Sequence, residues 1–261
     1  MASAAQATPD ERALMLGILS EHLSRFDQET LNPFYQRMIG AIRKAGDVPL
    51  VLGCNIYGTA VKTGIRPVSG PDGRADPQQI FAPHGYDSVV DTDQYDSYSK
   101  DNVRQIFAMH RQTQLELGLP VIIGEWGNFP SEAFTDDLIC FMNEILEQNH
   151  WHSTYHQYIP GMESDPNFCS LERGYPMMIA GRLLDYRYKP SRKTLEVRWL
   201  ADSMRQSILY HPNLSGICLD QIHLSGQAEI RIERQLGAGG RILVLPAMAG
   251  EISIVIEGSQ K

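Results

Sequence analysis

The chain has 261 residues, of which 43% are hydrophobic and 21% are charged, as is typical of a globular protein with one or two packed cores. Its formal net charge is −8, and it contains no long run of Lys and Arg. Because phosphate binding needs clustered basic side chains, nucleic acid is excluded as a predicted partner. No stretch of sequence is apolar over the length of a membrane span.

The cysteines and the N-terminus bear on compartment and on metal binding. Cys54, Cys140, Cys169 and Cys218 are widely separated and match no metal-ligand spacing, so we expect free thiols and no metal site. Two disulfides are the alternative if the protein is secreted. The N-terminus lacks the basic start and the apolar core of a signal peptide. The chain as written therefore predicts a cytoplasmic protein, unless a secretion signal precedes it.

The first part of the chain alternates between strand and helix patterns. Apolar residues from Leu31 to Ile42 recur at helical spacing, with Asp27 as the expected N-cap and Gly46 as the end. Short apolar runs predict buried strands at 48–54, 80–83, 121–123 and 153–158, and helices are predicted around 103–110 and 134–146. This alternation indicates parallel β/α units. The segment 57–79 is rich in Gly and Pro and predicts a long loop, whereas 163–176 is predicted to be irregular.

Beyond residue 176 the pattern changes to short strands between turn residues. Alternation of apolar and polar positions is clearest at 230–233 and 252–256, as expected for half-exposed antiparallel strands. The predicted strands are 183–188, 194–200, 217–224, 228–236, 241–246 and 251–257. The sequence therefore predicts two domains, an α/β domain over 1–176 and an antiparallel β-sandwich over 177–261.

Three polar side chains lie at the ends of two successive predicted strands. Glu125 ends the run Val121–Gly127, and His84 and Tyr86 end the preceding run, two residues apart on one side of an extended chain. The carboxyl ends of barrel strands form the active face of β/α barrels. A carboxylate held there could attack an anomeric carbon, with His84 and Tyr86 orienting it. The alternative is that Glu125 is a structural carboxylate and that His84 and Tyr86 are a structural pair.

These two segments resemble glycoside hydrolase family 5, the cellulase-type clan. The motif ProHisGlyTyrAsp (83–87) followed after one unit by IleGlyGluTrpGly (123–127) is similar to the His-x-Tyr of strand six and the nucleophile motif of strand seven. The resemblance implies a partial (β/α)8 TIM barrel containing strands five to eight. It also implies that Glu125 is the nucleophile and that His84 and Tyr86 support it.

A second resemblance concerns the branch of the family. The segments 27–39 and 175–183 are similar to the endoglycoceramidase and glucosylceramidase group, which carries a β-sandwich directly after the barrel. The resemblance implies a retaining β-glycosidase that hydrolyses a β-glucoside or a glycolipid such as glucosylceramide or a sterol glucoside. It implies no cofactor, since the chemistry uses carboxylates and water.

The sequence departs from the family pattern at the expected acid/base and sugar-binding positions. The family's Asn-Glu-Pro acid/base motif is absent, and a complete barrel needs about 250 residues, more than precede the predicted sandwich. The loop carboxylates Asp87, Asp91 and Glu163 have no spacing that favours them as replacements. His156 stands where family members place a Trp beneath the sugar, and Trp126 and Trp151 are the candidate sugar platforms.

Three interpretations follow from these departures. The first is an enzyme whose remaining barrel half comes from another chain, a partner copy or an upstream exon. The second is a truncated non-catalytic family member, either a carbohydrate-binding or a scaffold protein. In both, unpaired edge strands predict a homo-oligomer that covers the open barrel edges. The third is that the N-terminal helices, including the apolar run Met15–Leu19, cap the edge of strand five.

Overall fold

The computed structural model describes residues 8–53, 61–87, 89–90, 97–127, 135–202, 205–234 and 237–258. Within these ranges the fold is of the α/β type. Contacts divide the chain into two compact units, one within Met1–Phe129 and Trp151–Tyr158, the other within Pro130–His150 and Ile159–Lys261. None of the helices in the described residues combines the length and the apolar character needed to cross a membrane.

In its described residues, the first unit contains three α-helices and four parallel strands. The elements are α1 (Pro9–Phe26), α2 (Asn32–Ala45), β1 (Leu50–Gly53), β2 (Gln79–Ala82), α3 (Lys100–Leu117), β3 (Ile122–Gly127) and β4 (His152–His156). Strand β1 pairs in parallel with β2, and β3 pairs in parallel with β4. Two isolated parallel bridges, Phe81 to Val121 and Gly85 to Trp126, connect β2 to β3. The strands therefore run side by side in chain order, as the β/α alternation predicted.

The helical start expected at Asp27 is wrong. Residues Asp27–Leu31 form a π-helical turn that continues α1 directly into α2, so the chain is helical on both sides of this residue. The Asp27 side chain is fully buried, and its Oδ2 accepts hydrogen bonds from Thr63 Oγ1 and Gly64 N, both at 2.7 Å. Asp27 therefore anchors a distant loop instead of capping a helix.

The loop predicted over 57–79 is confirmed for residues 61–78, which contain no helix or named strand. Two side-chain amides of α2 form hydrogen bonds with the backbone of this loop, much as a neighbouring strand would. Asn32 donates to Gly64 O and accepts from Arg66 N, at 2.9 and 3.0 Å, and Gln36 donates to Ser69 O and accepts from Ser69 N, at 2.8 and 2.9 Å. The loop is therefore satisfied by hydrogen bonds to the helix that precedes it.

An ion pair and a buried amide fix the end of the same loop. Arg43 of α2 binds Asp76 through two hydrogen bonds of 2.6 and 2.8 Å, and both side chains are largely buried. These hydrogen bonds from Arg43 lower the pKa of Asp76. Gln79 Nε2 donates to the carbonyls of Val68 and Asp76 at 3.1 and 2.7 Å, where β2 begins.

The described part of the second unit contains one α-helix and eight strands. They are α4 (Thr135–Asn149), β5 (Tyr175–Met178), β6 (Gly181–Lys189), β7 (Thr194–Ala201), β8 (Ser207–His211), β9 (Ile222–Ser225), β10 (Ala228–Arg234), β11 (Gly240–Pro246) and β12 (Gly250–Ile256). The strands form two antiparallel sheets, in the orders β10-β11-β8-β5 and β6-β7-β12-β9. One buried cluster contains residues of both sheets, including Trp199, Leu209, Ile242 and Ile254.

Three strand predictions in this unit are corrected. Strand β8 was not expected, and β5 lies partly in the segment 163–176 that was expected to be irregular. The predicted strand 217–224 is confined to Ile222–Ser225, because Leu219–Gln221 forms a 3-10 turn. The interval 163–176 otherwise contains the 3-10 turns Met162–Ser164 and Pro166–Ser170. Residues 235 and 236 of another predicted strand lie outside the described residues.

Helix α4 is tied to the β-rich part of its unit by a buried ion pair. Glu147 is 4% exposed and binds Arg173, whose guanidinium also lies 5.4 Å from the centre of the Tyr188 ring. The backbone N–H of Tyr188 donates to Glu147 at 3.3 Å. Burial raises the pKa of Glu147 despite the opposing charge of Arg173, so this carboxylate depends on its partner to stay ionised.

Candidate active site

Backbone hydrogen bonds align the ends of β2 and β3, which carry the predicted site residues. Gly85 N donates to Glu125 O and Gly124 N donates to Pro83 O, each at 2.8 Å. Because parallel strands end at the same edge of a sheet, this pairing places the segment after β2 beside Glu125. Thr154 of β4 donates its hydroxyl to Gly124 O on the other side, which fixes β3 from both neighbours.

The structure brings Glu125, His84 and Tyr86 together. The Tyr86 hydroxyl donates to Glu125 Oε2 at 3.1 Å, and His84 Nδ1 lies 3.5 Å from the same oxygen. The Glu125 side chain is 40% exposed, whereas that of His84 is 20% exposed. The carboxylate is therefore held by two neighbours on one side and remains accessible from another. The other carboxylate oxygen, Oε1, takes no part in these two contacts.

Two glycines allow this close approach. A Cβ at position 85 would lie 2.5 Å from Cζ of Phe107, a side chain that is 2% exposed. A Cβ at position 124 would lie 3.2 Å from Cδ2 of His84. The glycines in the two motifs therefore make space for the α3 packing and for the imidazole next to the carboxylate.

His110 of α3 is a site residue that the sequence did not reveal. Its Nε2 lies 2.8 Å from the backbone oxygen of His84, and because a carbonyl can only accept, this nitrogen carries the proton. Burial lowers the pKa of His110 to about 4, so the ring is neutral near pH 7. It was visible in sequence only as a polar residue on the apolar face of α3, where a structural histidine is also common.

Burial also lowers the pKa of His84, and the Glu125 carboxylate opposes this effect. A smaller contribution from His156 lowers it further. Near neutral pH His84 is therefore predominantly a neutral imidazole, able to contact the carboxylate without neutralising its charge.

His156 joins this group, whereas the tryptophans do not. The His156 ring is edge-on to Tyr86 with 6.5 Å between ring centres, and the peptide bond after it is cis. Trp126 is 3% exposed and packs edge-on against Tyr155 at 5.1 Å. Trp151 is also 3% exposed, stacks on Phe107 and donates to Gln114 at 2.9 Å. The structure thus places Trp126 and Trp151 in the core and offers neither as an open sugar platform.

The structure describes two of the three loop carboxylates considered as a replacement acid, Asp87 and Glu163. Asp87 is 2% exposed and accepts hydrogen bonds from Ser99 N at 2.8 Å and Val89 N at 3.2 Å, so it organises the backbone before α3. Glu163 accepts from Gly161 N at 3.1 Å in the second unit. Asp91 lies outside the described residues. In the described part of the chain, no group of three or more His, Cys, Asp or Glu residues is arranged to hold a metal ion.

Comparison with known proteins identifies the class. The sequence model of the cellulase family, glycosyl hydrolase family 5, matches residues 2–161. This match covers more than half of the chain and includes His84, Tyr86, Glu125 and His156. The chain therefore belongs to glycosyl hydrolase family 5.

Solved structures share the fold over most of the chain. Endo-glycoceramidase II from Rhodococcus sp. superposes with a TM-score of 0.74 at 19% identity, over 91% of this chain and 56% of that protein. An endogalactoceramidase gives 0.60 at 18% identity, over 91% and 53%, and sterylglucosidase 1 from Cryptococcus neoformans gives 0.61 at 12%, over 88% and 44%. The chain thus spans about half the length of these proteins. No curated protein sequence shows significant similarity to it.

Proposed function

We propose that this chain carries the nucleophile half of a retaining β-glycosidase, with Glu125 as the nucleophile. The observation that carries the proposal is the Glu125 carboxylate at the end of β3, which accepts from Tyr86 and contacts His84 while remaining 40% exposed. Such contacts restrict the rotation of the carboxylate and leave its Oε1 outside both contacts, as a nucleophile requires. The membership of a glycoside hydrolase family supports the same chemistry.

The proposed first step is attack of Glu125 on the anomeric carbon. The carboxylate forms an ester to that carbon, the glycosidic C–O bond breaks, and the leaving oxygen takes a proton from an acid. Water then attacks the same carbon, transfers a proton to the conjugate base and releases Glu125. Tyr86 holds the carboxylate before attack through its hydrogen bond to Oε2. His156, edge-on to Tyr86, is proposed to contact a sugar hydroxyl.

The first step needs an acid that this sequence does not contain at the family position. Retention requires a second carboxyl group about 5 to 5.5 Å from the nucleophile. Asp87 is committed to backbone amides, and the Asn-Glu-Pro motif is absent from the sequence. We propose that a further polypeptide segment supplies this carboxyl group. A partner of different sequence that covers the open edges of the sheet is one source, since a second copy of this chain lacks the same motif.

The finer architecture is part of this proposal. We propose that β1 to β4 are strands five to eight of a (β/α)8 barrel and that the two antiparallel sheets are a C-terminal β-sandwich. The predicted division into 1–176 and 177–261 remains a prediction. The parallel order β1-β2-β3-β4 and the cluster shared by the two antiparallel sheets support it.

For the substrate we propose a β-glucoside or a glycolipid of the glucosylceramide or sterol glucoside kind. The structural neighbours named above are a glycoceramidase, a galactoceramidase and a sterylglucosidase, and they share the fold with this chain. Their similarity in fold supports a glycolipid as the substrate. Hydrolysis rates of glycolipids with different aglycones would identify the preferred one.

The nucleophile can be tested separately from the acid. A 2,4-dinitrophenyl β-glucoside releases a leaving group that needs no protonation, so attack by Glu125 can proceed without the second carboxyl group. We expect a burst of dinitrophenolate and a mass increase of one hexosyl group, located on Glu125 by peptide mapping. The Glu125→Gln variant should show neither, because an amide does not displace the phenolate.

Two further variants make the test specific. Tyr86→Phe keeps the ring but removes the hydrogen bond to the carboxylate, and should slow the burst by roughly 10- to 100-fold, as expected for a bond to a charged group. Glu163→Gln changes an exposed carboxylate in the other unit and should leave the burst unchanged. A folded wild-type chain that forms no adduct, or an adduct that persists in Glu125→Gln, would overturn the proposal and favour a non-catalytic family member.

A further inference from the structure

The segment after β2, residues 83–87, presents alternate residues to the protein interior and to Glu125. Its residues alternate between buried and partly buried, and the two partly buried ones, His84 and Tyr86, contact the Glu125 carboxylate. The ladder between β1 and β2 ends at Ala82, just before this segment. The segment therefore extends past that ladder, and its position depends on other neighbours.

Helix α3 holds the segment at three successive points. Asp87 accepts a hydrogen bond of 2.8 Å from the backbone N–H of the N-cap residue of α3. Gly85 packs so closely on Phe107 that a Cβ would lie 2.5 Å from the ring. His110 donates from Nε2 to His84 O at 2.8 Å. Of these three contacts, only the last is made with a residue that itself contacts the carboxylate.

The imidazole of His110 is costly in this place unless it forms a hydrogen bond. His110 is 3% exposed and lies edge-on to Phe81 and Phe107, with ring centres 6.3 and 6.0 Å away. A buried polar group costs free energy unless it is paired. An apolar side chain would fill the same space without that cost. The hydrogen bond to the His84 carbonyl therefore accounts for a histidine on this face of α3.

We propose that His110 is a positioning residue, which acts by holding His84 against Glu125. This inference rests on the proposed role of Glu125 as the nucleophile. The bond from His110 fixes the His84 backbone, which keeps Nδ1 3.5 Å from Glu125 Oε2. The Tyr86 hydroxyl reaches the same oxygen from two residues further along. A displacement of the His84 backbone would therefore disturb both contacts to the carboxylate.

The contact between His84 and Glu125 can be measured without any substrate. Because the Glu125 carboxylate raises the pKa of His84, the fall in this pKa on Glu125→Gln reports how closely the two side chains lie. We would measure that fall by NMR titration in several backgrounds. His110→Leu fills most of the space but cannot donate, and should lose most of the fall. His110→Gln places an amide N–H near the position of Nε2 and should retain it.

Two further variants separate positioning from general loosening of α3. His110→Asn carries the same amide on a side chain shorter by one methylene, and should lose the fall as His110→Leu does. Thr113→Val removes another buried hydrogen-bonding group of α3, whose hydroxyl donates to Met109 O within the helix at 3.0 Å. It should retain the fall even if its stability decreases. A full fall in His110→Leu or His110→Asn, or its loss in Thr113→Val, overturns the proposal.

The burst of dinitrophenolate provides the kinetic readout. His110→Leu and His110→Asn should lower the burst rate constant at saturating substrate by about 10- to 100-fold, because a misplaced catalytic group slows the reaction more than it weakens binding. The substrate concentration for half-maximal rate should change little. His110→Gln and Thr113→Val should react like the wild type, and a full burst rate in His110→Leu overturns the proposal. If the wild type forms no adduct, the nucleophile proposal fails, whereas the titration still decides whether His110 positions His84.

Discussion

At the scale of single residues, the polar groups at the two strand ends were predictable from the sequence, whereas the buried residue that packs behind them was not. His84, Tyr86 and Glu125 carry a motif in sequence, and the structure brings them within hydrogen-bonding or close contact distance. His110 has no such motif, because its role is to donate to a backbone carbonyl across 26 residues of chain. Pattern reading finds side chains at strand ends, but it cannot find partners that fold back from a helix.

The balance of charges around His84 makes a prediction about its titration. Burial lowers the pKa of His84 and Glu125 raises it, so replacing Glu125 by Gln removes the opposing effect. The His84 pKa should therefore fall further in Glu125→Gln, and the neutral form should persist to lower pH. NMR titration of the histidine ring protons would measure this. An unchanged or higher pKa in the variant would contradict the arrangement.

The same change, Gly to Ala, is predicted to have opposite effects on stability at Gly85 in the strand-end motif and at Gly40 in α2. Gly85→Ala would place a methyl group 2.5 Å from buried Phe107, and overpacking of this kind costs about 1 to 3 kcal/mol. Gly40→Ala lies in α2 with no atom within 4 Å of the new Cβ, and should stabilise by about 0.5 to 1 kcal/mol through helix preference. Denaturant unfolding of both variants would test this. Equal effects would mean that α3 shifts freely.

At the scale of elements, burial explains why β8 was not predicted. Its inward positions Ser207, Leu209 and His211 are all fully buried, but two of the three are polar, so the apolar alternation expected of a strand is lost. Both polar side chains are paired inside the fold. The Ser207 hydroxyl accepts a hydrogen bond from Ala180 N, and His211 pairs with Lys193 O. In β12, by contrast, three inward isoleucines made the strand evident from the sequence.

The ion pair between Arg43 of α2 and Asp76 of the loop after β1 should stabilise the protein less at acidic pH. The pKa of Asp76 is lower in the folded protein than its ordinary value of 3.8, owing mainly to hydrogen bonds from Arg43. The unfolded chain therefore binds more protons near that pH, so the contribution to stability is complete above it and is lost as the pH falls through the folded pKa. The stability difference between wild type and Asp76→Asn should be largest near neutral pH and shrink toward pH 3. A pH-independent difference in denaturant midpoints would contradict this account.

At the scale of the whole molecule, an exposed apolar stripe on α1 supports the proposed association. Leu14, Met15 and Ile18 are 66%, 55% and 51% exposed, and Val51 of the edge strand β1 is 58% exposed. Residues 14 and 18 are one turn apart and share a face of the helix. Exposed apolar side chains that share one face of a helix make that face a candidate interaction surface.

Self-association through α1 can be tested by replacing its exposed apolar side chains with charged ones. We expect light scattering to show the wild-type chain as a dimer or larger, and the Leu14→Lys/Ile18→Lys double variant as predominantly monomeric. Leu219 and Met248, 69% and 57% exposed in the second unit, provide a matched control pair whose replacement by Lys should leave the mass unchanged. A monomeric wild-type chain would exclude self-association through α1.

The path of the chain between the two units also limits how such a protein can be inherited or recombined. The sequence passes from the first unit to the second after Phe129, returns at Trp151, and leaves again after Tyr158. One crossover point in the gene therefore cannot exchange either unit intact, because α4 is encoded between two strands of the unit to which it does not belong. A recombinant with a single junction would receive α4 from one parent and its ion-pair partner Arg173 from the other whenever that junction falls between them. Lineages should consequently preserve residues 135 to 189 as one block.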